Sequence, residues 1–361
     1  MNKFIDNKIS VEFNDKIAFH PGYYIKEIIE DSGLTQEDFA KRLGTTPKNI
    51  SILTRGEQSL SVDMAMKLAR MTGISVETWL NLQVAYDTLI AEYKILLEFE
   101  NEKEVFKDLD YKYFKYYFHL EPLNRKIDQQ ITKVREFLNV ASLTVLTKQD
   151  FAINFRTSDS KLTQANIVKA NAMTQIAINE TLKTESPKFN LAMFNKAVEQ
   201  ALSLTTLEDP VNKLYDILLQ AGVVLTVLPN LPGSKTNGAT KKVGNKIMLM
   251  VNDRYMRSDT FWFTLFHEIG HIINGDFGIS YEEDAGVKEE KADRYARDTL
   301  IPADEYQQFI EQYCFDVKSL ISFAEKINRD VAIVLGRLQR DGYISYADTT
   351  YNSLKKKYKI L

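Results

Sequence analysis

The stretch Phe261-Trp-Phe-Thr-Leu-Phe-His-Glu-Ile-Gly-His-Ile-Ile273 decides how the rest of the chain is interpreted. As a helix, it places His267 and His271 one turn apart on the same face, with Glu268 beside them. Almost every other side chain in the stretch is apolar, which is typical of a buried helix. Because unpaired polar groups are costly in a core, two histidines and a glutamate there need a partner. A metal ion is the natural candidate.

Two imidazoles at positions i and i+4, with a carboxylate next to the first, form the HExxH zinc-binding pattern. The bland alternative is a buried helix without a metal. A catalytic zinc usually has three protein ligands and one open position. The chain has only four histidines. His20 belongs to an N-terminal helical region and His119 has no ligand-like neighbours, so the third ligand is expected to be a carboxylate.

Residues 288–302 offer that carboxylate on a second helix. Glu289 and Asp293 share one face of this helix, one turn apart. Glu289 is the expected third ligand, and Asp293 is expected to accept a hydrogen bond from a ligand imidazole and hold its orientation. Glu290 is the alternative ligand, although it points about 100° away on the helix. Alanines on the side of Glu289 mark that side as the close-packed one, which favours Glu289.

Composition limits the class of protein. The chain has 361 residues, 44% hydrophobic and 26% charged, and these values predict a globular protein of two or three domains. It has no apolar run long enough for a membrane span and no apolar segment of a signal peptide at its N-terminus. Cys314 is the only cysteine, so a cytoplasmic location is expected. The net charge of −3 disfavours a broadly basic nucleic-acid coat but not a local DNA-reading face.

After a short polar leader, residues 20–96 read as five closely spaced helices. The second and third are joined by a tight turn at Gly44, with Thr46 as N-cap and Pro47 at the first helical position. This arrangement is the helix-turn-helix pattern. Polar side chains that would face outward and contact DNA are Gln36, Thr46, Lys48, Asn49, Ser51 and Thr54.

A small helical bundle with a polar surface helix is the bland alternative for this region. Between His20 and Leu80 the sequence has seven basic and eight acidic side chains, a net charge of −1. Phosphate neutralisation supplies much of the affinity for DNA, so a single copy would bind weakly. A homodimer, or a role in docking a protein, therefore stays open.

The remaining chain divides into a helical connecting region (97–204), a metal-binding domain (205–310) and a C-terminal helical extension (311–361), after an N-terminal domain of residues 1–96. The aromatic run 111–118 could stack on single-stranded nucleic acid, but packing between helices is favoured. Strands are expected at 223–228 and 246–252, separated by a Pro/Gly/Lys loop at 229–245. The helix of residues 261–273 that contains the histidine motif is called the metal helix. The strand just before it, 246–252, is expected to be an edge strand that pairs with an extended peptide, with an ordinary sheet strand as the alternative.

Two family resemblances build on these patterns. The run from Pro21 to Asp87, notably GLTQEDFAKRLG and ETWLNLQ, resembles the Xre-type helix-turn-helix of HigA-like antitoxins and phage-type repressors. The runs FTLFHEIGH and EEKADRYARDTLIP resemble the ImmA/IrrE family of zinc metallopeptidases, and the later run LGRLQRDGYI fits versions that follow a helix-turn-helix. This second resemblance implies that His267, His271 and Glu289 bind Zn²⁺ and that Glu268 is the general base.

The resulting expectation is a mostly helical α+β protein: a five-helix helix-turn-helix domain, a helical middle region, and a zincin-like peptidase domain with a small sheet. The family resemblance implies a regulatory zinc endopeptidase that cleaves a repressor or antitoxin and is coupled to DNA binding. The alternative is a transcriptional regulator or antitoxin whose peptidase domain is inactive or conditional. For stabilising the oxyanion, Tyr255, Tyr281 and Tyr295 are the candidates.

Overall fold

A computed structural model describes residues 5–149, 151, 162–252, 257–281 and 286–358, with residues 280 and 281 described in their backbone only. The chain folds as two compact units, Met1–Asn101 and Glu102–Leu361. The expected fold class is confirmed, since both units are mostly helical and contain small sheets. The finer division at residues 97, 205 and 311 stays a prediction.

The first unit begins with an antiparallel three-stranded sheet in the place of the expected polar leader. Its strands are β1 (Ile5–Asp6), β2 (Ser10–Phe13) and β3 (Lys16–Phe19). Val11 and Phe13 are buried while Glu12 between them is exposed, the alternation of a half-buried strand. Asn14 and Asp15 join β2 to β3 with φ of 52° and 58°, a conformation that suits a tight hairpin. The segment read as a short polar leader therefore forms a small sheet.

The five helices expected in residues 20–96 are present. They are α1 (Pro21–Asp31), α2 (Gln36–Leu43), α3 (Pro47–Thr54), α4 (Val62–Thr72) and α5 (Val76–Phe106). The Thr35 side chain accepts a hydrogen bond from the Asp38 amide at the start of α2, and Thr46 accepts one from the Asn49 amide at the start of α3. Between these helices, Gly44 has φ of 68°, which glycine adopts without strain. Local capping thus fixes the helix-turn-helix geometry.

The second unit contains the remaining helices: α6 (Tyr111–Phe118), α7 (Ile127–Leu138), α8 (Gln164–Lys183), α9 (Leu191–Leu204), α10 (Val211–Gln220), α11 (Ser258–Asn274), α12 (Val287–Leu300), α13 (Ala303–Ile310), α14 (Val317–Lys326) and α15 (Val331–Arg340). Within α6, Tyr113 and Phe114 are buried, and the Tyr113 hydroxyl donates to the Pro229 carbonyl oxygen at 2.8 Å. These contacts support the packing interpretation of the aromatic run. Among the described residues, no helix is both long and apolar enough to cross a membrane.

A four-stranded sheet lies in the second unit. Its strands are β4 (Val223–Leu228), β5 (Thr236–Val243), β6 (Lys246–Asn252) and β7 (Gly278–Tyr281), in the order β4-β6-β5-β7. Strand β5 lies within the segment that was expected to be a loop. Because β6 pairs in parallel with β4 and antiparallel with β5, it is a central strand. The expectation of an edge strand immediately before the metal helix is therefore wrong.

Helices on this sheet come from distant parts of the chain. Helix α8 contacts β4, β5 and β6, while α11 contacts β5, β6, α12 and α15. Apolar side chains of the C-terminal helices α14 and α15, among them Leu320, Phe323 and Leu338, share one buried core with Trp262 and Phe266 of α11. The core around the metal helix therefore includes residues from well beyond residue 310.

Candidate metal centre

Two helices cross closely at the histidine motif because the residues at their crossing are small. A Cβ atom added to Gly270 of α11 would lie 3.2 Å from the Cα atom and 3.3 Å from the carbonyl oxygen of Ala292 on α12. Ala292 is fully buried and Ala296 is almost fully buried, which supports the expected close-packed side of α12. The crossing brings Glu289 within reach of both histidines. The fourth residue of the motif, a glycine, carried this information in the sequence.

Donor atoms of three residues converge at this crossing. The Nε2 atom of His267 lies 3.0 Å from Glu289 Oε2 and 3.0 Å from His271 Nε2, and His271 Nε2 lies 3.4 Å from Glu289 Oε1. Ligand atoms of a tetrahedral zinc site, each about 2.0–2.1 Å from the ion, lie about 3.3 Å apart. Two imidazole nitrogens and one carboxylate with these separations fit three corners of such a site and leave the fourth corner for water or substrate.

The structure distinguishes between the two candidate carboxylates. His271 is fully buried and Glu289 is 7% exposed, whereas the Glu290 side chain is 69% exposed and pairs with Arg294 at 3.3 Å. Helical rotation alone turns Glu290 away from the histidines. Glu289 is therefore the carboxylate that the fold brings to them.

Asp293 lies behind His267, in the position that was expected of it. The Nδ1 atom of His267 is 2.8 Å from Asp293 Oδ1, and because a carboxylate only accepts, Nδ1–H donates. Asp293 thus orients the ring so that Nε2 faces Glu289 and His271. Burial lowers the pKa of His267, but hydrogen bonds with Asp293 and Glu289 outweigh it and raise the pKa to about 9. Burial raises the pKa of Asp293, yet the hydrogen bond to His267 and the charge of Arg340 bring it below its usual range.

Glu268 is fully buried beside the histidines. Its carboxylate packs against strand β5, where a Cβ atom added to Gly238 would lie 2.6 Å from Glu268 Oε1 and 2.6 Å from its Cγ. Only glycine therefore leaves room for this side chain in its present position. The sequence contained Gly238 within the supposed loop, but its role depends on a strand that the sequence did not predict.

Of the three candidate tyrosines for stabilising the oxyanion, only Tyr295 has a side chain among the described residues. Tyr295 packs at the helix crossing, where its Cδ1 atom would lie 3.1 Å from a Cβ on Gly270. Burial raises the pKa of Tyr295, and its hydroxyl bonds to Thr299 on the same helix. Tyr255 and the side chain of Tyr281 lie outside the described residues.

The helix-turn-helix residues divide by exposure. Gln36, Thr46 and Lys48 are exposed, while Asn49 and Ser51 are partly buried. Asn49 contacts Thr45 through its Nδ2 atom at 3.0 Å, and Arg55 donates to the Ser51 hydroxyl at 2.6 Å.

Thr54 does not face outward as expected. It is 5% exposed, and its hydroxyl donates to the Ile50 carbonyl oxygen at 3.0 Å. The rotation of α3 places it on the inner face of the helix, one turn after the buried Ile50. The expectation that Thr54 faces outward is therefore wrong.

Comparisons with known proteins agree with both halves of this description. Residues 25–79 match the Helix-turn-helix family model, and residues 222–328 match the IrrE N-terminal-like domain. The chain is 35% identical over 80 residues to Virulence-associated protein I of Dichelobacter nodosus, covering 22% of this chain and 74% of that protein. It is 35% identical over 79 residues to the uncharacterized HTH-type transcriptional regulator YddM of Escherichia coli (strain K12), covering 21% of this chain and 84% of that protein.

The matched ranges contain the structural features described above. The first contains α2 and α3 with their glycine turn, and the second contains the sheet, the histidine motif and the carboxylates of α12. The two domains lie in one chain, in the order that the sequence motifs predicted. The chain therefore contains an IrrE N-terminal-like peptidase domain, which follows an N-terminal DNA-binding helix-turn-helix domain.

Proposed function

We propose that the chain is a regulatory zinc-dependent endopeptidase that hydrolyses a peptide bond in a protein partner such as a repressor or antitoxin. The observation that carries this proposal is the convergence of the two imidazoles and one carboxylate: Glu289 Oε2 lies 3.0 Å from His267 Nε2, Glu289 Oε1 lies 3.4 Å from His271 Nε2, and the two nitrogens are 3.0 Å apart. Nitrogen and oxygen donors with an open fourth corner are typical of catalytic rather than structural zinc. The reducing cytoplasm suits a chain with a single cysteine.

Each residue of the site has a separate task in this proposal. His267, His271 and Glu289 would hold the zinc, which when bound lowers the pKa of a water molecule and polarises the peptide carbonyl. Glu268 accepts the proton that the attacking water loses and passes it to the leaving amine nitrogen. Gly238 gives the Glu268 carboxylate its space, and Asp293 holds the His267 ring with Nε2 toward the metal.

A conditional peptidase is the second candidate. Glu268 and His271 are fully buried, so a peptide reaches them only if the site opens. The similarity to an HTH-type transcriptional regulator supports a chain whose DNA binding does not require turnover. In this form the helix-turn-helix, as a monomer or homodimer, would bind an operator and the peptidase domain would act only after activation.

Metal content tests the site directly. We expect the purified full-length protein to contain close to one zinc per chain, and His267→Ala to lose most of it because one of three ligands is gone. His119→Ala is the matched control, since His119 is an exposed histidine at the end of α6. Equal zinc content in wild type and His267→Ala would refute the ligand set.

Cleavage and DNA binding separate the two candidates. Wild type and Glu268→Gln are each incubated with zinc and a repressor encoded by a neighbouring gene, and cleavage of the repressor is measured. The binding of both variants to promoter DNA is measured in parallel. The endopeptidase predicts that Glu268→Gln loses cleavage and keeps DNA binding, while Glu290→Gln, a control carboxylate on the exposed side of α12, keeps both. Identical behaviour of wild type and Glu268→Gln in every assay would rule out the peptidase function.

A further inference from the structure

Arg340 contacts the residue that orients a metal-binding histidine. Its Nη2 atom lies 2.8 Å from Asp293 Oδ2, while Asp293 Oδ1 lies 2.8 Å from His267 Nδ1. Each oxygen of one carboxylate is therefore engaged by a different partner. Arg340 is at the end of α15, beyond residue 328 where the match to the IrrE N-terminal-like domain ends. The motifs at the metal site gave no sign of its involvement.

The backbone that carries Arg340 is fixed on the metal helix itself. Helix α15 packs against α11, and a Cβ atom added to Gly336 would lie 2.8 Å from Asp259 Oδ2 on α11. At the start of α15, the Asp330 side chain accepts a hydrogen bond from the Ala332 amide at 2.7 Å. The helix that carries Arg340 therefore packs closely against the helix that carries the two histidines.

An arginine in this place has a physical use. The Asp293 side chain is 35% exposed, so water competes for its oxygens and the carboxylate has freedom to rotate. A guanidinium bound to Oδ2 restricts that rotation and keeps Oδ1 in place to accept from His267 Nδ1–H. An isolated exposed ion pair contributes little, but this pair acts on a group already bound to a buried ligand.

We propose that Arg340 is a positioning residue of the zinc site, acting through Asp293 on the orientation of His267. This inference rests on the zinc site of the proposed function. It extends the working site to a residue outside the matched domain, about 70 positions after the histidine motif. Arg340 itself contacts none of the three ligand atoms in the described structure.

Zinc affinity tests the proposal without any knowledge of the substrate. The dissociation constant of zinc is measured on the full-length protein by competition with a chromophoric chelator. Loss of a partner behind a zinc ligand typically weakens zinc binding by 10–100-fold, and for Arg340→Gln we expect the lower end, about tenfold. Arg340→Lys, which keeps the charge, should recover part of the loss. Arg294→Gln is the matched control, because it removes an exposed arginine of α12 that pairs with Glu290 instead.

A double-mutant cycle identifies the route of the effect. In an Asp293→Asn background, Arg340→Gln should change the zinc dissociation constant less than twofold, because the group through which it acts is altered. The visible spectrum of the Co²⁺-substituted protein should shift in Arg340→Gln and not in Arg294→Gln. Thermal unfolding before metal addition shows whether each variant is folded.

Three outcomes would overturn the proposal: an unchanged zinc affinity in Arg340→Gln, an equal loss in Arg294→Gln, or an equal loss in the Asp293→Asn background. Each of these leaves the zinc site of wild type intact. A wild-type protein that binds no zinc would instead overturn the proposed function together with this inference. The two failures are therefore distinguishable by the wild-type measurement.

Discussion

The indole Nε1–H of Trp262 donates a hydrogen bond of 2.8 Å to the hydroxyl oxygen of Tyr358, 96 residues later in the chain. Both side chains are buried, and Trp262 lies in the metal helix one turn and a residue before His267. The nearby backbone is also joined, since the Ser258 amide donates to the Lys356 carbonyl oxygen at 2.9 Å. The start of the metal helix is therefore held by a segment that the sequence motifs assign to a separate extension.

Tyr358→Phe tests the energy of this attachment. The variant keeps the ring but leaves the buried Trp262 Nε1–H without its acceptor, which typically costs about 1–3 kcal/mol. We expect a corresponding fall in the free energy of unfolding, measured by urea denaturation. Tyr346→Phe is the control, since the Tyr346 side chain is 58% exposed. A Tyr358→Phe variant as stable as Tyr346→Phe would contradict the structural role of the bond.

Alkaline pH should destabilise the fold around Tyr358, because its ionised form is buried. Burial raises the pKa of Tyr358 to about 12, above the ordinary value near 10 that it has in the unfolded chain. Between these values the folded chain keeps a proton that the unfolded chain has lost, so stability is full below about pH 10 and falls as the pH rises toward 12. Across this window the free energy of unfolding of wild type should fall by up to about 2 kcal/mol more than that of Tyr358→Phe. Parallel urea titrations at pH 9 and pH 11.5 measure the difference, and equal losses would refute it.

Gly270→Ala should separate the two helices of the metal site. The new methyl group would meet Ala292 at 3.2–3.3 Å, and overpacking of this kind costs about 1–3 kcal/mol. The histidines lie on one of the two crossing helices and Glu289 lies on the other. A wider separation of the helices should therefore lower zinc affinity about tenfold or more. Gly286→Ala is the control, since a Cβ atom there has no neighbour within 4 Å. Zinc affinity equal in the two variants would show that the crossing does not set the ligand geometry.

Substitutions at Lys48 and Thr54 should have different effects on DNA binding. Lys48 is exposed on α3, so Lys48→Ala should weaken binding to promoter DNA and lower the slope of log K against log salt by about 1. Thr54→Val removes a buried hydrogen bond to Ile50 and should reduce stability by about 1 kcal/mol. It should leave the salt slope unchanged. Filter binding or fluorescence anisotropy at several salt concentrations measures both, and a reduced slope in Thr54→Val would restore Thr54 as a contact residue.

The sequence predicted the parts of the site that depend on local spacing. His267, Glu268 and His271 belong to one helix, and the rotation of a second helix distinguishes Glu289 from Glu290. The caps Thr35 and Thr46 and the turn at Gly44 are likewise local, and they fix the helix-turn-helix. In each case the residues that decide the geometry lie within about one or two turns of each other.

The features that the sequence did not predict depend on pairing between distant segments. Strand β5 contains glycine and lysines and reads as a loop, yet hydrogen bonding to β6 and β7 makes it a strand. The same strand order makes β6 a central strand, because β4 pairs with one of its edges and β5 with the other. Arg340 reaches Asp293 only because α15 packs on α11. Such contacts have no periodicity along the chain from which they could be predicted.

The bond between Trp262 and Tyr358 also sets an order of events during synthesis. The helix-turn-helix unit, complete by residue 101, can fold while the rest of the chain is being translated. The metal helix emerges later, but Tyr358 and the apolar face of α15 follow only after some 70–100 further residues, which takes several seconds or more at about 5–20 residues per second. During that interval the apolar surface of the metal helix lacks its cover, and Arg340 is not yet available to Asp293. The nascent chain can therefore carry a folded DNA-binding unit before it carries a finished metal site.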